Sequence, residues 1–338
     1  MATYKEIFGT NIEVLASDPA NPVAGQVWYN STDNVVKGAA ATTAGAWATG
    51  GNLNVAKYGT GSAGTQTSAL AFGGEIPPPL ATNESYNGTS WTEVGDLNIA
   101  RRYIGGTGAD NTSALAFGGL GPGPATYSTS TESWNGSVWT AVNPLNTSRY
   151  FGASAGIQTS ALFSGGGQEL PASGTRSTLT ESWDGTSWTE VADLNTARLE
   201  LGGSGTDNTS AINFGGNLQP PAGRSAATEI WNGTSWTEVG DLNVVKSSMA
   251  SAGTVSSALS AGGVTPSFTE TSQTEVWNGT SWTETTDLST ARSQFAGTGT
   301  QLSALVFGGW RGPVSGNSNA TEEWTGAGSP LIQTFTDS

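Results

Sequence analysis

Six copies of one unit, each reading as four short strands, predict an all-β chain folded as a six-bladed propeller. Three recurring features carry that expectation. A double glycine follows a short apolar run at Gly73-Gly74, Gly118-Gly119, Gly165-Gly166, Gly215-Gly216, Gly262-Gly263 and Gly308-Gly309, with 45 to 50 residues from one copy to the next. Between consecutive copies lies a turn flanked by aromatic residues: YNGTSW (86–91), WNGSVW (134–139), WDGTSW (183–188), and WNGTSW at 231–236 and 277–282. After each turn comes a leucine segment ending in a cation: DLNIAR (96–101), PLNTSR (144–149), DLNTAR (193–198), DLNVVK (241–246) and DLSTAR (287–292).

In chain order, residues 1–45 stand outside the repeat. The stretch PVAGQVWYNSTDNVVKG (22–38) reads as a hairpin turning at Ser31 to Asn34. The repeats follow over 46–325, and 326–338 form a C-terminal tail. In the third complete unit, strand A is expected over 149–155, B over 160–165, C over 179–183 and D over 187–192. Asn-Gly or Asp-Gly between alternating apolar runs is a strong hairpin signal because both turn residues take φ > 0; it joins C to D. The last unit supplies A, B and C but has no second Trp after Trp324. Residues 46–57, AWATGGNLNVAK, align with WTEVGDLNIAR. An N-terminal strand is therefore expected to complete the last blade and remove an exposed edge; the alternative is that Leu331 to Phe335 fills that place.

Composition narrows the chemistry. The 338 residues include 48 Gly, 39 Ser and 47 Thr, while charged residues make up 12 %, against roughly 25 % in an ordinary domain. Aromatic residues reach 9 %, with 13 Trp, too many for a disordered chain. There is no Cys and no His, so Ser-His-Asp and Cys-His machinery and the usual zinc sites are excluded. Neither a metal nor a cofactor is expected. A net charge of −15 argues against nucleic acid as a partner. No stretch approaches 18 apolar residues, so no membrane insertion is expected, and the N-terminus lacks the pattern of a secretory signal.

The double glycine closing the second strand, an aromatic residue in the third, Trp opening the fourth and a cation before the next unit resemble the kelch repeat over about residues 46–325. The third-strand aromatic is mostly Trp, where kelch repeats usually carry Tyr. Residues 22–38 resemble a short box found in fibre and other virion proteins of tailed bacteriophages. Together these resemblances imply a non-enzymatic virion structural protein, a tail fibre or surface appendage. It would be assembled in the host cytoplasm and released by lysis. Its N-terminal segment would bind other virion proteins, and one face of the propeller would bind a host-surface glycan or protein. The alternatives are a carbohydrate-active propeller (glycan hydrolase or lyase) and a cellular kelch scaffold for protein partners.

Two groups of residues are candidates for binding. Lys57, Arg101, Arg149, Arg198, Lys246 and Arg292 share one repeat position entering the innermost strand. They either converge on an anion at the channel mouth or pair structurally with Glu84, Glu132, Glu181, Glu229, Glu275 and Glu322, which recur as regularly. The B–C connections vary where the rest of the repeat agrees, and binding concentrates on such loops. They carry Tyr127, Phe268 and Trp310, suited to stacking on sugars, and the cations Arg176, Arg224 and Arg311. The paired Trp residues and the Asn-Gly turns read as structural. Glu93, Glu190, Glu238 and Glu284, each followed by an Asp three residues on, repeat around the outer strand. Active sites are single and concave, so no catalytic residue is assigned.

Overall fold

A computed structural model of the 338-residue chain describes residues 12–19, 25–41, 44–123, 126–169, 175–327 and 330–335. It is an all-β fold that divides into two compact units, one of residues 47–324 and one of residues 1–46 with 325–338. The larger unit is β-propeller-like. Five of its four-stranded antiparallel sheets each come from one repeat, with strands A to D in hydrogen-bonded order. In the first sheet these are Gly61–Thr65, Ser68–Phe72, Asn83–Tyr86 and Trp91–Val94, and in the third Ala153–Ile157, Ser160–Ser164, Thr180–Trp183 and Trp188–Val191. The sixth sheet takes A, B and C from Ala296–Gly299, Ser303–Phe307 and Thr321–Thr325, and its fourth strand is Ala46–Thr49.

Strand A begins later than the sequence suggests. Arg149–Tyr150 is a separate two-residue strand paired with Gly167–Gln168, and the innermost strand starts at Ala153. Pro330–Phe335, the alternative partner for the sixth sheet, pairs instead with Val35–Ala41. That strand also pairs with Val27–Asn30 across the turn at 31–34, and Glu13–Leu15 adds a parallel edge strand. In this smaller unit Asp18 accepts hydrogen bonds from Trp28, Asn30 and Lys37.

The hydrophobic core is distributed between sheets. Six buried clusters each join one sheet to the next, and one of them joins Phe307 and Leu305 of the sixth to Ala69, Ala71 and Trp91 of the first. The strand D Trp makes this contact directly. Trp91, Trp139, Trp188 and Trp282 meet Phe307, Phe72, Phe117 and Phe214 of the preceding sheet edge-on, at 4.7 to 5.0 Å between centroids. Edge-to-face pairs of this kind add about 0.5–1.5 kcal/mol beyond area burial. Trp therefore belongs to the repeat because each sheet uses it to hold its neighbour.

Candidate functional site

The six cations do not reach a channel mouth. Lys57, Arg101, Arg149, Arg198, Lys246 and Arg292 are at most 1 % exposed, and each pairs with the strand C glutamate of the sheet it precedes. The separations run from 2.6 Å for Arg198–Glu229 to 3.5 Å for Lys246–Glu275. The arginines also donate to backbone carbonyls; Arg198 Nη1 reaches those of Gly215 and Ala227 at 2.8 and 2.6 Å. On the other carboxylate oxygen, Glu229 accepts from the backbone N–H and side-chain amide of Asn195, both at 2.8 Å. A ligand would find neither charge available, because burial and pairing consume both.

The variable face is better organised than its loops suggest. In every repeat the residue after the cation bridges the residue after the double glycine: Tyr58 to Glu75, Arg102 to Leu120, Tyr150 to Gly167, Leu199 to Asn217, Ser247 to Val264 and Ser293 to Trp310. The D–A and B–C connections are thereby tied together. One residue further on, Gly59, Tyr103, Phe151, Glu200, Ser248 and Gln294 all take left-handed backbone angles, with φ between +54° and +64°. Such a conformation costs a non-glycine residue about 1–3 kcal/mol. It persists here because the six backbones bond in a cycle. Each N–H donates to the carbonyl of the preceding member, and Gly59 donates to Gln294, at 2.7 to 3.2 Å.

This collar stands at one end of a channel of about 410 Å³ lined by the innermost strands. Below it the lining is small and uncharged. One layer alternates Ser62, Gly106, Ser154, Gly203, Ser251 and Gly297 from sheet to sheet. Among the described lining residues Glu200 is the one charged side chain. Its carboxylate accepts from Ser247 Oγ at 2.9 Å, and Ser247 Oγ in turn accepts from Arg224 Nε at 2.9 Å.

From Tyr103 and Phe151 at the channel end, a row of aromatic rings runs outward over the face. Trp310 lies on Tyr58 (5.9 Å), Tyr58 on Tyr103 (6.1 Å), Tyr103 on Phe151 (3.8 Å, stacked) and Tyr150 beside both. Tyr127 closes the row edge-on against Tyr150 at 5.6 Å. Tyr103 fills the space where a side chain on Gly59 would stand, 2.5 Å from an added Cβ, which is why the collar member at position 59 is glycine. Burial first, and the Glu75 carboxylate second, push the Tyr58 hydroxyl above its ordinary value; burial does the same at Tyr103. Arg102 pairs with Glu75 and lies 5.1 Å over the Tyr103 ring.

Of the loop residues singled out in the sequence, Tyr127 and Trp310 join this row, half-buried. Arg224 and Phe268 form a second element beside Glu200, with the guanidinium 4.7 Å over a ring that is 80 % exposed. Arg176 binds across to the next repeat, to Asn217 and Gln219. Arg311 is exposed on a short helical turn and joins neither group. The collar residues Tyr103, Phe151, Glu200, Ser248 and Gln294 were missed. Their signal was positional, two residues after each cation, and no residue type marks a left-handed angle when glycine occupies the position once in six.

Sheets ranked around a channel, inter-sheet cores and a loop-bearing face define the molecule as a β-propeller-like protein. Among solved structures the chain is similar to that of YjhT, with a TM-score of 0.67, 11 % sequence identity, and coverage of 84 % of this chain and 99 % of the other. At that identity the likeness is one of fold alone. No protein-family model matches the sequence, and no curated protein sequence matches it.

Proposed function

We propose that the chain is a non-enzymatic virion structural protein of a tailed bacteriophage. In this reading it is a fibre or appendage that displays a closed, six-bladed kelch-like propeller. Residues 46–49 complete the last blade, and the unit built from both chain ends attaches to other virion proteins. The face carrying the B–C connections contacts the host surface, and no cofactor takes part.

One observation carries the reading. The chain repeats itself in its ion pairs, Trp contacts and turns, and abandons the repeat at the mouth of one face, where aromatic and hydrogen-bonding side chains gather. Several features support binding over catalysis there. Glu75 is engaged by Arg102, the half-buried Tyr58 and Tyr103 hold their protons more firmly than usual, and among the described residues one carboxylate, that of Glu200, lines the channel. Glycoside hydrolysis generally needs two carboxyl groups flanking the bond.

The test is to purify intact phage particles and identify their polypeptides by mass spectrometry. The protein is expected among them, and immunogold labelling is expected on tail or surface appendages. A particle preparation that lacks it would overturn the assignment.

A further inference from the structure

We infer that the collar end of the channel is a binding site for a non-acidic sugar, the terminal residue of a surface glycan. This inference rests on the display reading above and names the ligand class for that face. Ligand pockets of this size usually join an apolar wall to a few fixed polar groups. Here the wall is the stacked pair Tyr103 and Phe151, 3.8 Å between centroids. The polar groups stand on the same collar: Glu200, Ser248 and Gln294. A pyranose has both surfaces that such a pocket needs, a C–H face to lie on an aromatic ring and an edge of hydroxyls to meet acceptors and donors.

Charge decides the class of sugar. Glu200 is the one charged group among the described lining residues, and Ser247 holds its carboxylate in place. A sialic or uronic acid would bring a second carboxylate toward it, while the cation beside it, Arg224, is bound to Ser247 and stacked on Phe268 and is not among the described lining residues. A hexose or an amino sugar meets no such opposition, because a carboxylate accepts hydrogen bonds from hydroxyls and from an ammonium group alike. The hydrogen-bonded backbone cycle holds the same residues in place. Tyr103, Phe151 and Glu200 keep large side chains at angles where glycine would rest without cost, and such strain collects at ligand clamps.

That strain also provides a clean variant. Phe151→Gly removes the ring while placing at φ +56° the residue that favours that angle, so relief of backbone strain offsets part of the lost ring contacts and the variant is expected to fold, checked by its circular dichroism and a cooperative melt. The full-length protein is to be applied to an array of neutral, amino and acidic glycans and, separately, to host cells. Wild type is expected to bind neutral or amino sugars and to bind acidic ones at least tenfold more weakly. Phe151→Gly is expected to lose at least tenfold in affinity. Glu200→Gln is expected to narrow the gap between neutral and acidic glycans.

A preference for acidic glycans, or unchanged binding by both variants, would overturn the inference. Binding to cells that Phe151→Gly leaves intact, with no glycan bound, would overturn the sugar site and leave the display reading standing. Failure to bind cells as well as glycans would count against both.

Discussion

Trp139 shows how closely single positions are matched across sheets. In the five other sheets the strand D Trp donates its indole N–H to a threonine on strand C of the preceding sheet: Trp47 to Thr274, Trp91 to Thr321, Trp188 to Thr131, Trp236 to Thr180 and Trp282 to Thr228, at 3.0 to 3.2 Å. Trp139 faces Asn83 at that place, and both Trp139 Nε1 and Asn83 Oδ1 are buried without a partner. Asn83→Thr should restore the bond and raise stability by about 0.5–1.5 kcal/mol, read as a higher denaturation midpoint. Lys246 offers a second test. Burial, opposed by Glu275, brings its ammonium down from 10.5 to about 8. Between those values the unfolded chain holds more protons than the folded one, so stability rises with pH across that window and is lost as pH falls toward 8. Lys57, equally buried, is lowered in the same direction. Replacing both by the arginine found at the other four positions should flatten that limb in denaturation measured from pH 8 to 10.

The element that organises the fold is the linker from one strand D to the next strand A. Its leucine is buried in every copy, from Leu53 to Leu288. In five copies its asparagine, and in the sixth the backbone N–H of Ser289, donates to the strand C glutamate of the following sheet, and its cation grips the same carboxylate. Breaking a buried pair of this kind by removing one partner should cost about 3–5 kcal/mol, because the remaining charge is stranded. Arg198→Ala and Glu229→Ala should each show that loss in chemical denaturation, and the double variant should lose less than the sum. The A–B turns form a second inter-sheet latch. Asn111, Gln158 and Asn208 reach the preceding strand C through side-chain amides, to Ser85, Ser133 and Ser182. At the fifth sheet both positions are apolar, and Val255 and Ile230 each pack against the same buried cluster.

For the whole molecule, the channel lining alternates between two kinds of strand. Ser62, Ser154 and Ser251 stand on odd-numbered sheets, and Gly106, Gly203 and Gly297 on even ones. Neighbouring backbones approach so closely that a Cβ at Gly203 would lie 2.6 Å from the Cβ of Ala153. Gly203→Ala should therefore destabilise by about 1–3 kcal/mol through overpacking, measured as a fall in Tm. The fourth strand of the sixth sheet, Ala46–Thr49, tests cooperativity at the same scale. Trp47 packs on Trp324 at 5.1 Å and donates to Thr274 at 3.2 Å. Deleting residues 1–57 would uncover the edge of Thr321–Thr325 and remove Lys57 from Glu84, so the truncated protein should aggregate on size-exclusion chromatography.

Much of this was legible in the repeat itself. The strand content, the C–D turns and the pairing of one cation with one glutamate per copy follow from residues recurring at fixed intervals, because periodic contacts leave periodic residues. The lack of His and Cys is equally a property of the sequence, and it excludes Ser-His-Asp and Cys-His machinery by composition. The site was legible only in part. Tyr127, Arg224, Phe268 and Trp310 lie on the face that carries the collar, but no residue type announces the collar beside them. Its geometry is set by a backbone hydrogen-bond cycle among six distant residues, and a backbone bond constrains an angle without dictating a side chain. Sequence alone thus determined what repeats; tertiary structure decided where the repeat gives way to a particular surface, since that surface exists only once the six units stand side by side.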